Sequence, residues 1–121
     1  MPFKSGSLAG TVTLNGTRRI TSAEGPIGGT PTNGSYLVAN FTVAVTSGSG
    51  SANPLSFRAQ SPDGTTYRSE LGVLNKQIDS TEVGAGRQVR GDVAFDAPKG
   101  ALTLDYNSPI GGPLATFSIT G

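Results

Sequence analysis

The densest alternation of charge lies between Arg87 and Asp96, where Arg90, Asp92 and Asp96 fall between Val89, Gly91, Val93 and Phe95. On a strand, such spacing sends the charged side chains to one face and the apolar ones to the other. A guanidinium beside carboxylates on an open face could meet a polar partner, or the carboxylates could hold a weakly bound cation. Hard cations require clustered oxygen ligands, as in loops with Asp at alternating positions. No such loop occurs here, and the plain alternative is a solvated outer face.

Other chemistry finds little material. The chain has no histidine, cysteine or tryptophan. A nucleophilic Ser or Thr would need an activating base, and only Lys4, Lys76 and Lys99 are available, all in polar, loop-like surroundings. Gly28-Gly29 and Gly48-Ser49-Gly50 do not precede a helix, so they read as flexible loops and not as phosphate cradles. Asp63-Gly64 could form a ligand-contacting loop tip. After Ser61-Pro62 it is more simply a hairpin turn, with Pro preset and Gly free to take positive φ. Tyr67, just beyond, is expected to pack on the sheet edge with its hydroxyl in water. The triplets Asn15-Gly16-Thr17, Asn33-Gly34-Ser35 and Asn40-Phe41-Thr42 fit the glycosylation acceptor pattern, which arises often by chance in such sequences, and no role is assigned to them. These residues imply no catalytic group, metal or cofactor.

The elements that must position any site are strands. Leu37, Ala39, Phe41, Val43 and Val45 occupy every second position of Tyr36 to Thr46, the signature of a strand with one buried face. Leu8 to Leu14 alternates similarly, and Asn15-Gly16 predicts a tight hairpin turn returning through Thr17 to Ala23. Gly25 to Gly34 is too rich in Gly and Pro for a ladder and reads as a surface loop. Leu55, Phe57 and Ala59 alternate ahead of the turn into Thr66-Tyr67-Arg68. Glu70 to Gly86 lacks clean periodicity and is expected to be irregular with a short strand. Val89 to Phe95, Leu102 to Tyr106 and Ala115 to Ile119 complete the set.

A chain of 121 residues is expected to form one domain, burying roughly two thirds of its unfolded surface. Short strands at regular spacing predict an all-β, antiparallel immunoglobulin-like sandwich of about seven to nine strands. The core would rest on Phe41, Phe57, Phe95, Phe117 and aliphatic residues. A formal charge of +1, from nine basic and eight acidic residues, offers no field to hold nucleic acid or an anionic membrane. No apolar run approaches the ~20 residues of a membrane-spanning helix. Residues 1–6 lack the apolar segment of a signal peptide and read as a flexible opening.

Three segments resemble a known family. Tyr36-Leu37-Val38-Ala39-Asn40-Phe41-Thr42-Val43, then Phe57 to Tyr67 with its Asp63-Gly64-x-x-Tyr67 turn, then Gly86 to Asp96 with Gly91, Val93, Phe95 and Asp96, are similar to the secreted mycobacterial immunogenic proteins of immunoglobulin-like fold. They also resemble uncharacterised domains of actinobacterial and other Gram-positive lipoproteins and anchored surface proteins. The resemblance spans Leu8 to Ile119 and implies an extracytoplasmic sandwich, secreted or anchored, with no catalytic residues to carry over. Two functions follow as expectations. One is a binding module for a protein or cell-envelope component, using Arg90 and Asp92 or an apolar patch of Ile27, Ile110 and Leu114 on the loops. The other is a structural spacer or assembly domain of an envelope or virion complex.

Overall fold

The period-two segments form strands in a computed structural model that describes all residues except 25–28, 72, 75, 79, 108–112 and 121, and only the backbone of Ser51. In chain order the strands are β1 (Pro2–Ser5), β2 (Leu8–Ile20), β3 (Tyr36–Ser47), β4 (Ser49–Ala52), β5 (Phe57–Gln60), β6 (Thr66–Arg68), β7 (Thr81–Gly84), β8 (Gln88–Phe95), β9 (Ala101–Asn107) and β10 (Pro113–Thr120). Two four-stranded antiparallel sheets, ordered β1-β2-β3-β8 and β10-β9-β5-β6, are joined by a small β4-β7 pair. The described strands number ten because Pro2–Ser5 and Ser49–Ala52, expected as a flexible opening and a flexible loop, both pair.

The two larger sheets pack through an aromatic column. Phe41 stacks on Phe57 with ring centroids 4.4 Å apart, Phe57 lies 5.3 Å from Tyr106, and Tyr106 meets Phe3 of β1 edge-on at 5.4 Å. Phe117 leans on Phe41 at 6.0 Å and is only half-buried. Burial of each large aromatic contributes about 1.5–3 kcal/mol, which explains why β1 adds to the sheet edge: its Phe3 belongs to the core. Burial also pushes the Tyr106 hydroxyl pKa up.

The β5–β6 hairpin forms as expected. Gly64 takes φ +93°, and Asp63 Oδ1 accepts hydrogen bonds from the Ser61 hydroxyl and from Thr65 N at 3.0 Å. The Ser61 bond, followed by those of Thr65, holds the Asp63 carboxyl below its usual range. Tyr67 packs half-buried against the core.

Two expected elements differ. Asn15-Gly16 does not turn the chain: β2 runs straight through it, and the pairing with β3 shifts between Leu14 and Gly16. This is a bulge. Neither residue takes the positive φ that a tight hairpin turn demands, and Asn15 donates instead to the side chains of β3. Leu55 does not continue β5 inward. Asn53 Oδ1 accepts from Leu55 N at 2.8 Å and caps a single 3-10 turn, Pro54–Ser56, which swings Leu55 out to 64% exposure.

The segment after β6 covers the free edge of β8. Ser69 forms a bridge with Phe95, Glu70 N donates to Ala94 O at 2.7 Å, and Ile78 N donates to Asp92 O at 2.8 Å. Covering an edge in this way removes unpaired backbone groups that would template aggregation. Ile78 enters the main core, while Val73 and Leu74 form a second cluster with Tyr36, Val38 and Ala94 on the opposite face of the sheet. Gly91 makes the first of these contacts fit, since a Cβ there would lie 2.6 Å from Ile78 Cα.

Candidate functional site

The outer face of β2-β3-β8 carries the charged residues singled out by their spacing. Antiparallel pairing sets Asn40 of β3 opposite Asp92 and Thr42 opposite Arg90 on β8, while Gly16 of β2 lies opposite Asn40 on the other side. Asn40 is the hub. Its Nδ2 donates to Asp92 Oδ1 at 2.8 Å, and its Oδ1 accepts from Arg90 Nε at 3.0 Å and from Asn15 Nδ2 at 2.9 Å. Asn15 Nδ2 also reaches Thr42 Oγ1 at 2.8 Å.

Arg18 of β2 extends the array, with Nη2 3.4 Å from Glu24 Oε2 and 4.0 Å from Asp92 Oδ2. At these distances and with half-exposed side chains the pairs contribute little to stability. They do fix the position of opposite charges around a small depression of about 150 Å³, lined by Gly16, Thr17, Arg18, Val38, Asn40 and Asp92. The surface thus presents both signs of charge in a defined order, backed by a sheet.

Asp96, expected on the same face as Arg90 and Asp92, is tied to the loop ahead of β3. Its two carboxylate oxygens accept from Thr32 N at 2.7 Å and Asn33 N at 2.9 Å, and Asn33 Nδ2 donates to Asp96 O at 2.9 Å. Burial acts to raise the Asp96 pKa, but the hydrogen bonds from Thr32 and Asn33 outweigh it and hold the carboxyl below its usual range. Asp96 therefore closes the loop ahead of β3. Arg19 serves the same end of the fold: it donates to Ser35 Oγ at 3.2 Å, to Ala97 O and to Pro98 O at 2.9 Å, and burial lowers its pKa. Burial, then the charges of Asp96 and Glu70, raise the pKa of Tyr36.

Of the apolar candidates only Leu114 is described, and it lies on β10, in the other sheet from this array. Ile27 and Ile110 lie outside the described residues. Thr32 and Asn33 are tied to Asp96, next to the turn that leads into β9 at Ala101, whereas Asn107 and Pro113 pair at the far end of β9. Leu114 is half-buried and packs against the main core.

Sequence reasoning missed Asn40, Asn15 and Arg18. Asn40 had a signal: it is a polar residue at an even position of an otherwise legible strand, hence on the same kind of outer face as Arg90. Asn15 was masked by its dipeptide with Gly16, whose local preference is for turns.

A family model described as Domain of unknown function (DUF4352) matches residues 2–114. The chain belongs to this family. No curated protein matches its sequence. Among solved structures, the secreted protein MPT63 from Mycobacterium tuberculosis is similar with a TM-score of 0.72 and 21% identity, over 98% of this chain and 91% of that one. The yjhA protein from Bacillus subtilis is similar with a TM-score of 0.69 and 16% identity, over 99% and 95% of the two chains. A candidate lipoprotein of Bacillus subtilis, ycdA, gives a TM-score of 0.69 at 20% identity; 98% of this chain spans only 38% of that protein. These likenesses establish the immunoglobulin-like sandwich and bear out the resemblance read from the three segments.

Proposed function

We propose that this chain is a non-enzymatic, extracytoplasmic immunoglobulin-like module that meets a protein or cell-envelope component at the bacterial surface, with the Arg90–Asn40–Asp92 array as its contact surface. The observation that carries this reading is the array itself. Its charged groups are partly open to solvent yet already held by hydrogen bonds to Asn40, so a partner that binds them orders few further side chains. Extracytoplasmic placement is supported by the secreted and lipoprotein descriptions of structurally similar proteins. The non-enzymatic reading is supported by the shifted carboxylates: Asp63 holds a turn and Asp96 holds a loop, and each shift follows from those hydrogen bonds.

A spacer or assembly role is the second reading, favoured by the similar fold occurring within the longer ycdA chain. The two are separated by immobilising the domain, passing cell-envelope extract of a Gram-positive bacterium over it, and identifying retained proteins by mass spectrometry. The binding module predicts a partner held by the native domain and depleted at least about tenfold on an Arg90→Asp, Asp92→Arg variant that melts at the same temperature. Equal recovery on both, or no specific partner at high loading, favours the spacer.

A further inference from the structure

The two larger sheets end in four edge strands, β1, β8, β10 and β6, and three of them are protected. β8 is covered by the segment after β6. β6 is only Thr66–Arg68 and bears an exposed arginine. β1 is four residues long and carries Pro2 and an exposed Lys4. Covering segments, short strands, charges and proline are the means by which sheet edges avoid pairing with other chains. β10 has them only at its start, where Pro113 and the register shift between Pro113 and Ala115 interrupt the ladder. From Ala115 to Thr120 it pairs with β9 in unbroken register and carries no charge.

Along this run every second residue directs its backbone N–H and C=O away from β9, and no backbone group outside β9 meets them among the described residues. The core is open along the same line. Leu102 and Leu104 of β9 are buried, whereas Ile119 and Phe117, opposite them on β10, pack against the core only half-buried. Unpaired backbone groups and half-covered apolar side chains are completed together by one addition, a further strand.

The strand that fits is β10 of a second copy. A two-fold axis perpendicular to the sheet makes the pair antiparallel and keeps both core faces on one side. Opposite residues then differ by an even number in every register, so Ala115, Phe117 and Ile119 meet only one another, and Thr116, Ser118 and Thr120 do the same. Aromatic and β-branched pairs, and hydroxyl pairs, stabilise such a ladder, while like charges oppose it. The same operation at β6 or β1 brings Arg68 or Lys4 toward its own image; at Ala115 to Thr120 there is no charge to repel.

We infer that β10 is the interface of a homodimer in which the β10-β9-β5-β6 sheets of two copies join edge to edge. The axis leaves the outer faces of the two β1-β2-β3-β8 sheets pointing the same way, so both Arg90–Asn40–Asp92 arrays are presented to one side, where a surface-borne partner engages them together. That consequence rests on the proposed contact surface; the dimer itself does not. One strand edge buries less than about 1,200 Å², so a dissociation constant on the order of 100 μM is expected.

Sedimentation velocity from about 10 μM to about 1 mM is expected to show monomer passing to dimer, with concentration-dependent amide shifts confined to β10 and its neighbour β9. Ser118→Lys, at an exposed position, is expected to weaken the dimer a few-fold. Adding Thr120→Lys, also at an exposed position, brings four like charges onto the paired strands and is expected to weaken it about tenfold, with the dilute protein melting at the native temperature. The Arg90→Asp, Asp92→Arg variant is expected to dimerise like the native protein, so failure of the array and failure of the dimer are told apart. A monomer throughout the range, a dimer that both lysine variants retain in full, or shifts that fall on β1 or β6 instead of β10, overturns the inference. So does a monomer whose β10 amides respond only to a different protein.

Discussion

Strand β3 behaves as two different strands on its outer face. From Tyr36 to Ala39 every residue is buried, because Val73 and Leu74 of the chain after β6 lie over Tyr36, Val38 and Ala94. From Asn40 onward burial alternates again: Phe41, Val43 and Val45 face the core, and Asn40 and Thr42 join the polar array with Arg90 and Asp92. The boundary falls between Val38 and Asn40. The difference shows that an outer sheet face needs no uniform character; it is apolar where another segment is available to cover it and polar where water does so.

The comparison breaks most severely at Leu74. Replacement by Ala is expected to cost about 2–3 kcal/mol, read as a lower denaturation midpoint, with hydrogen exchange accelerating first at Glu70 and Ile78. Uniform acceleration across the β9–β10 pair as well would show that the covering segment is not a separate layer. Gly91→Ala sharpens the comparison by pressing on Ile78, whose Cα lies 2.6 Å from the added methyl position. Overpacking there is expected to cost about 1–2 kcal/mol, and a melting temperature equal to the native one would mean that Ile78 yields without strain. The smallest effect belongs to the open half. Asn40→Ala removes the hub of an exposed network and is expected to cost under about 1 kcal/mol while releasing the Arg90 side chain, observable as sharpened, mobile Nε resonances. A loss as large as that of Leu74→Ala would make the array structural and leave it unfit as a contact surface.

Much of the sandwich was legible in single residues. Leu37, Ala39, Phe41, Val43 and Val45 identified one face of β3 because side-chain direction has period two on any strand, whatever surrounds it. Ser61-Pro62-Asp63-Gly64 identified its hairpin because Pro and Gly restrict φ locally. Asn15-Gly16 misled for the same reason: the dipeptide favours a turn, but pairing of β2 with β3 along its whole length outweighs that preference and absorbs Asn15 as a bulge. Phe3 was obscured by its place in a short polar segment, and nothing local announces that Tyr106 waits for it 5.4 Å away.

The site divides in the same way. Alternation alone put Arg90 and Asp92 on one face, and composition alone removed histidine, cysteine and a strong net charge from consideration. Only the tertiary structure tied Asp96 to Thr32 and Asn33, inserted Asn40 between Arg90 and Asp92, and faced Arg58 with Arg68. Each of these depends on the register between strands remote in sequence, where a shift of one residue sends every side chain to the other face. The sequence by itself determined which residues could share a face; the packing of two sheets and one covering segment decided which of them meet.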